Sequence, residues 1–156
     1  MLNKGLQMFE FIKKIFKQKE NNNNDYNLID LLKKDHQKLI SICNKIEIEL
    51  NNNNFQIIKE ELQKFITDYN KHIIVEDTQL YIKLEEKYKE QTQILNTIKN
   101  IEIDMNTITK TILDFEKKFD TINSDNKEAF WSELKSIESI LIQRIELEEE
   151  RLYTLL

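Results

Sequence analysis

Two histidines and two glutamates in this sequence have the types and positions needed to hold a metal ion. Glu76 follows His72 by four residues, a separation that places both side chains on one face of a helix. His36 and Glu148 lie on apolar stripes of other segments. Buried imidazole and carboxylate groups need partners, and mixed sets of these ligands suit iron, manganese and zinc. The four residues therefore predict a buried cation site.

The unit around His72 is repeated near the end of the chain. Residues 72–81 read His-x-x-x-Glu-Asp-x-x-Leu-Tyr, and residues 144–153 read Arg-x-x-x-Glu-Glu-x-x-Leu-Tyr. The units match in residue type except at their first position, which is arginine in the second. Arginine stays protonated and only donates hydrogen bonds, so Arg144 cannot ligate a metal. Its charge opposes cation binding, and we interpret it as a candidate internal counter-ion for the two glutamates.

Four segments carry apolar residues in alternating steps of three and four, which predicts amphipathic helices. The first three cover about residues 28–50, 55–86 and 92–119. Asp125, followed three residues later by Glu128, predicts a capping box for the fourth helix, and Asp25 or Asn27 is suited to cap the first. Because short polar turns join the segments, each stripe can be buried only against the others. The predicted fold is all-α, an antiparallel up-down four-helix bundle.

The residues before the bundle predict a short helix and a linker. Residues 8–19 place an apolar face opposite a lysine-rich face, and the apolar face consists of Phe9, Ile12, Ile15 and Phe16. Such a helix is typical of weak attachment to a membrane surface, of docking on a partner protein, or of packing on its own domain. The asparagine-rich run that follows is typical of a linker. We therefore expect an N-terminal segment of residues 1–26 and a bundle domain of residues 27–156.

Composition argues against several classes of protein. The 156 residues, 40% of them hydrophobic, suit one domain with a core. A net charge of -5 argues against a nucleic-acid-binding surface. The single cysteine, Cys43, excludes an internal disulfide and fits a reducing compartment. Since there is neither a signal-peptide pattern nor an apolar run of the ~20 residues that span a bilayer, we expect a cytoplasmic protein.

These motifs resemble those of the hemerythrin-like family, also called the HHE cation-binding domain. The shared features are an acidic residue before a first-helix histidine, seen as Asp35 and His36, and a His-x-x-x-Glu unit followed by Leu-Tyr, seen at residues 72–81 and again, with arginine first, at 144–153. The resemblance covers about residues 28–156. It implies an up-down bundle with a pair of non-haem irons bridged by carboxylates, and roles in oxygen carriage, dioxygen or nitric oxide sensing, or iron handling.

The resemblance assigns ligand positions to four residues of this chain, His36, His72, Glu76 and Glu148. The family's third-helix histidine is missing, and Asp104, beside Met105, resembles the acidic-Met pair of a divergent branch and is the nearest substitute. Arg144 stands in place of the fourth-helix histidine. Such a ligand set falls short of the histidine-rich set that reversible oxygen binding in the family relies on, so we do not expect an oxygen carrier.

Two functions are left open by the sequence. In the first, the bundle binds one metal ion or an incomplete pair, with iron the foremost candidate, and acts in sensing or metal handling. In the second, the metal has been lost, Arg144 replaces it as the partner of Glu76 and Glu148, and the bundle is a protein-interaction or regulatory module. An enzyme needs open coordination positions and a substrate pocket. Because the stripes offer packed Ile, Leu and Phe instead, we do not expect an enzyme.

Overall fold

The computed structural model describes residues 25–156, which form four long helical rods and contain no strand. The first rod is helix α1, Asp25–Asn51, and the second joins α2, Phe55–Val75, through a π-helical turn, Glu76–Leu80, to α3, Tyr81–Lys87. The third rod is α4, Thr92–Lys118, and the fourth is α5, Lys127–Leu147, extended by a second π-helical turn, Glu148–Leu152, and a 3-10 turn, Tyr153–Leu155. The predicted all-α class is confirmed, with helix bounds close to the predicted ones.

Contacts between the rods show that neighbours run in opposite directions. Successive positions along α1 contact positions in reverse order along the second rod, in the pairs Asp25–Lys83, His36–His72 and Lys45–Glu61. The same reversal relates α1 to α5, α2 to α4, and α4 to α5. The rods therefore form the up-down-up-down bundle that the short connections predicted.

The apolar stripes of the rods meet in two clusters with buried polar residues between them. The larger cluster includes Leu39 and Tyr69, and the smaller includes Leu32 and Leu80. His36 lies between Leu32 and Leu39 along α1. In the second and fourth rods, too, the buried polar residues lie between a residue of one cluster and a residue of the other. We use the name polar layer for the buried set His36, His72, Glu76, Arg144 and Glu148. Two dry clusters thus close the layer from both ends of the bundle.

Asparagine side chains, rather than a glycine, close the loop before α5. Asn126 Oδ1 accepts a hydrogen bond from the Asn123 N–H at 2.9 Å, and its Nδ2 donates to the Thr121 carbonyl at 2.7 Å. Asn126 is the N-cap residue, and its side chain makes no capping bond. The predicted capping box of Asp125 and Glu128 is therefore wrong, because the loop uses the asparagine for its own closure.

At the start of the bundle, Asp25 and Asn27 both lie within α1, so neither caps it as predicted. The amphipathic segment predicted at residues 8–19 and most of the linker after it lie outside the described residues. None of the described helices combines the length and apolar character that crossing a bilayer requires.

Candidate metal centre

Two π-helical turns position the carboxylates of the polar layer. The first begins at Glu76 and the second at Glu148, which are equivalent positions in the two repeated units. In each turn the N–H of a tyrosine five residues later, Tyr81 or Tyr153, donates to the glutamate carbonyl. A π turn holds more residues than an α turn, so these tyrosines return to the face on which the glutamates lie. Both tyrosines are consequently buried beside the layer.

His36, His72, Glu76 and Glu148 meet at one point in the bundle. One ligand atom from each lies within 4.8 Å of all the others. His36 Nε2 is 3.2 Å from His72 Nε2 and 3.1 Å from Glu148 Oε2. His72 Nε2 is 3.6 Å from Glu76 Oε1. Because ligand atoms on opposite sides of a first-row metal ion lie roughly 4 Å apart, the group has about the size that a single ion requires.

The two imidazoles turn their second nitrogens toward partly exposed carboxylates at the rim of the site. His36 Nδ1 is 2.8 Å from Glu149 Oε1, and since a carboxylate only accepts, the nitrogen is the donor. His72 Nδ1 faces Asp35 Oδ2 at 3.7 Å, which is longer than a hydrogen bond, and has no other partner. With Nδ1 protonated, each Nε2 presents a lone pair to the centre, which is the form that binds a metal.

Arg144 is buried in the same layer, and each of its three guanidinium nitrogens donates a hydrogen bond. Its Nε donates to Glu148 Oε1, its Nη1 donates to the Ile101 carbonyl at 2.9 Å, and its Nη2 donates to the Tyr81 hydroxyl at 2.9 Å. Burial acts to lower the pKa of Arg144, but the Glu148 carboxylate outweighs it, and the pKa is raised overall. The guanidinium therefore stays charged and forms an ion pair with Glu148.

Glu76 has no such counter-ion among its hydrogen-bond partners. Its Oε1 accepts from the Tyr153 hydroxyl at 2.9 Å, and its Oε2 has no hydrogen-bond partner. Burial and the charge of Glu148 raise the pKa of Glu76 well above its usual value. In Glu148 the effect of burial is outweighed by the hydrogen bond from His36 and the charge of Arg144, so its pKa is lowered. A cation beside Glu76 would remove the penalty for its ionised form.

The two histidines differ in how readily they take up a proton. Burial and the neighbouring His36 lower the pKa of His72 to about 4, so His72 is neutral at neutral pH. Burial also acts to lower the pKa of His36, but its hydrogen bonds with Glu148 and Glu149 outweigh that effect and raise it. A proton and a metal ion cannot share His36 Nε2, so metal binding at this nitrogen releases any proton held there.

Asp104 does not join the other four residues that sequence analysis selected as ligands. It is exposed on α4 and lies outside the group whose ligand atoms converge, while its neighbour Met105 is buried in the larger apolar cluster. Successive helical residues point about 100° apart, so Met105 and Asp104 cannot both face the core. The expectation of a substitute ligand on α4 is corrected: that helix contributes the Ile101 carbonyl to the layer.

Sequence analysis included the two tyrosines and the rim carboxylates in its motifs but did not predict the contacts that they make. Tyr81 contacts Arg144, and Tyr153 contacts Glu76 and, at 3.2 Å, His36 Nε2. A signal was present, because a tyrosine stands five residues after the glutamate in both repeats. The π turns that give this spacing its meaning are a feature of the backbone, and the apolar stripe does not reveal them.

Comparison with known families agrees with this geometry. The family model of the hemerythrin HHE cation-binding domain matches residues 27–156, which include the whole polar layer. Searches of curated proteins and of solved structures found no match. The match covers most of the sequence, and the bundle carries a buried cluster of histidine and glutamate side chains suited to a cation. The chain belongs to the hemerythrin HHE cation-binding domain family.

Proposed function

We propose that this chain binds one divalent metal ion, with iron the foremost candidate, and acts in metal handling or sensing. The ligands are His36, His72, Glu76 and Glu148. The observation that carries the proposal is the surplus of acceptors at their meeting point, where a ring nitrogen of each imidazole and one carboxylate oxygen each of Glu76 and Glu148 lie within 4.8 Å of one another in a buried space. The second oxygen of Glu76, Oε2, is buried without a hydrogen-bond partner. A cation is a partner that all of these lone pairs can share.

The donors within the described residues do not remove this surplus. The Tyr153 hydroxyl has one proton to share between Glu76 Oε1 and His36 Nε2. Each nitrogen of Arg144 donates one hydrogen bond, to Glu148 Oε1, the Ile101 carbonyl and the Tyr81 hydroxyl, and none of its N–H groups bonds Glu76 Oε2. Glu76 Oε2 has no hydrogen-bond partner, and His72 Nε2 faces another ring nitrogen, that of His36, at 3.2 Å. A metal ion bound between the two imidazoles and the Glu76 carboxylate would supply the missing partner.

Charge favours one ion over two. With Glu76 and Glu148 ionised and Arg144 protonated, the layer carries one net negative charge. A single divalent ion leaves one positive charge, whereas a second ion would leave three in an environment of low dielectric constant. Arg144 therefore supports a single-ion site in which Glu148 binds the ion through Oε2 and the guanidinium through Oε1.

The ligand set suits iron, manganese or zinc, and membership of the family supports a metal cation. Two imidazoles and two carboxylates accommodate all three ions. A redox-active ion such as iron would supply a centre at which a diatomic gas such as dioxygen or nitric oxide could be sensed. The chain's own part would be to hold the ion in a dry layer between two apolar clusters, with Tyr153 donating a hydrogen bond to Glu76.

A second function, a metal-free interaction or regulatory module, is supported by Arg144. This side chain already neutralises Glu148, and a proton on His36 would satisfy part of the remaining layer. Under this alternative Glu76 stays protonated, and the bundle is insensitive to chelators. The two functions differ in whether purified protein takes up metal.

Elemental analysis of the purified protein separates them. Protein grown with added iron, or stripped and reloaded without oxygen, is expected to hold about one ion per chain, and loading is expected to raise the thermal midpoint. His72→Ala should abolish this uptake, whereas Lys71→Ala, which removes an exposed neighbour, should leave it intact. Less than about a tenth of an ion per chain with iron, manganese and zinc would contradict metal binding and favour the second function.

A further inference from the structure

Asp35 and Glu149 flank the polar layer and contact histidines on neighbouring rods. Asp35 precedes His36 on α1, yet its Oδ2 faces Nδ1 of His72 on α2 at 3.7 Å. Glu149 follows Glu148 in the fourth rod, yet its Oε1 accepts from Nδ1 of His36 on α1 at 2.8 Å. Each carboxylate thus sits next in sequence to one candidate ligand and contacts a different one on another rod.

An imidazole can present either nitrogen to a metal, so the partner of the outer nitrogen decides which one faces inward. His36 and His72 are 3% and 2% exposed, and water therefore has little access to their outer nitrogens. The side chains of the rim carboxylates, Asp35 and Glu149, are about 30% exposed, and their oxygens face those outer nitrogens. An acceptor on Nδ1–H both selects the ligating form of the ring and makes Nε2 a better donor to the metal.

We propose that Asp35 and Glu149 are positioning residues of the metal centre, which hold the rings of His72 and His36 with Nε2 inward and thereby set the affinity for a divalent cation. For affinity this assignment rests on the proposed function, whereas ring orientation is also a property of the metal-free protein. When Nε2 binds a metal, Nδ1–H becomes a stronger donor, and the 3.7 Å separation at Asp35 is expected to shorten to hydrogen-bond length, about 2.9 Å.

A purely structural role for Glu149 would be a surface ion pair with a lysine. Glu149 Oε2 lies 3.9 Å from Lys33 Nζ, on a lysine side chain that is 43% exposed. The contact with His36 is shorter, at 2.8 Å, and lies on the buried side. A surface pair of this kind is worth little and would leave the histidine ring unaffected. Ring orientation is therefore the property that distinguishes the two roles.

The test uses two variants, each with a matched control. Glu149→Ala and Asp35→Ala remove the rim carboxylates, and Glu150→Ala and Asp30→Ala remove exposed carboxylates on the same rods. Nitrogen NMR of the histidine rings in metal-free protein, at a pH where both rings are neutral, reports which nitrogen carries the proton. Competition against a chromophoric chelator measures the affinity for Zn²⁺.

We expect Glu149→Ala to move the proton of His36 from Nδ1 in the metal-free protein, because that hydrogen bond is present at 2.8 Å. Asp35→Ala removes a carboxylate that is 3.7 Å from His72 Nδ1, so its effect should be seen chiefly in the affinity for metal. Each change should lower zinc affinity about 10–100-fold while leaving one ion per chain, and the controls should match the wild-type protein. Glu149→Gln keeps a neutral acceptor and should therefore recover part of the lost zinc affinity. It also provides the test if the alanine variant does not fold. This partial rescue is not expected of a lost surface ion pair.

The outcomes separate this assignment from the proposed function. Wild-type protein that binds zinc, together with rim variants of unchanged ring protonation and affinity within about twofold, would overturn the positioning role and leave metal binding intact. Wild-type protein that takes up no metal would overturn the proposed function. In that case the ring nitrogens of the metal-free Glu149 variant still decide whether that carboxylate orients its histidine, and an unchanged ring would overturn that as well.

Discussion

The two repeated units hold equivalent glutamates in opposite electrostatic states. Glu148 pairs with Arg144 and contacts His36, and its pKa is lowered. Glu76 lies next to neutral His72, leaves one oxygen without a partner, and has a raised pKa. The units differ in type chiefly at their first residue, histidine in one and arginine in the other. This one difference makes Glu148 a counter-ion of Arg144, while Glu76 still needs a cation or a proton.

The tyrosine of each unit forms a hydrogen bond with a residue of the other unit. Tyr81 of the first unit accepts a hydrogen bond from Arg144 of the second, and Tyr153 of the second donates to Glu76 of the first. Both tyrosines reach the layer because a π turn follows each glutamate. The backbone of the repeat is therefore symmetric, and the difference between the units lies in their side-chain charges. Variants that change one unit at a time should separate their roles.

The largest effect is expected from Glu148→Gln, which removes the partner of Arg144. Breaking a buried ion pair by removing one member costs about 3–5 kcal/mol, because the guanidinium stays charged in a dry layer. Urea unfolding of the metal-free protein at neutral pH measures this loss. Glu146→Gln changes an exposed residue of the same helix and should have little effect. A loss for Glu148→Gln no larger than that control would mean that the pair does not stabilise the bundle.

Arg144→His should make the second unit resemble the first. The change removes a positive charge and adds an imidazole donor, so affinity for divalent cations should rise by about tenfold or more, equivalent to about 1.4 kcal/mol, and more metal should be retained per chain. The matched control is Arg151→His, at an exposed position. Unchanged binding in the Arg144 variant would show that this side chain does not face the metal.

Glu76→Gln should have effects of opposite sign on stability and on metal uptake. The pKa of Glu76 is about 4.5 in the unfolded chain and well above that value in the folded chain. The folded wild-type protein therefore loses stability as the pH rises from the unfolded pKa to the folded one. The variant avoids this loss and should be more stable than the wild-type protein at neutral pH without metal. The gain should vanish below the unfolded pKa, and metal binding should be lost. Urea unfolding across a pH series tests the sign, and a variant less stable at every pH would contradict it.

The smallest effect is expected from Tyr153→Phe, which deletes the hydroxyl that donates to Glu76. Loss of one hydrogen bond should lower the free energy of unfolding by about 1 kcal/mol. Tyr26→Phe, at a residue that is 88% exposed, is the matched control. Thermal or urea unfolding resolves the two, and equal stability in both variants would mean that the Tyr153 hydroxyl contributes nothing to holding the carboxylate.

The burial of the polar residues that lie on the apolar stripes could be predicted from the sequence. His36 and Arg144 lie in step with buried leucines, so their place in the core followed from helical period alone. The burial of Tyr81 could not be predicted in the same way, because it depends on a shift in backbone hydrogen bonding at the π turn. Asp104 was assigned from its resemblance to an acidic-Met pair, whereas the apolar stripe places Met105, whose burial is more favourable, in the core. Contacts between rods, such as Asp35 with His72, depend on packing that no single helix encodes.

Anomalous X-ray scattering from crystals of metal-loaded protein, recorded at the absorption edge of the ion, tests the central claim most directly. The predicted result is one peak per chain, about 2.0–2.2 Å from Nε2 of His36 and His72 and from a carboxylate oxygen of Glu76 and of Glu148. Arg144 should keep its contact with Glu148. A loaded chain whose peak lies away from these four side chains, or no peak in the bundle at full metal saturation, would contradict the account.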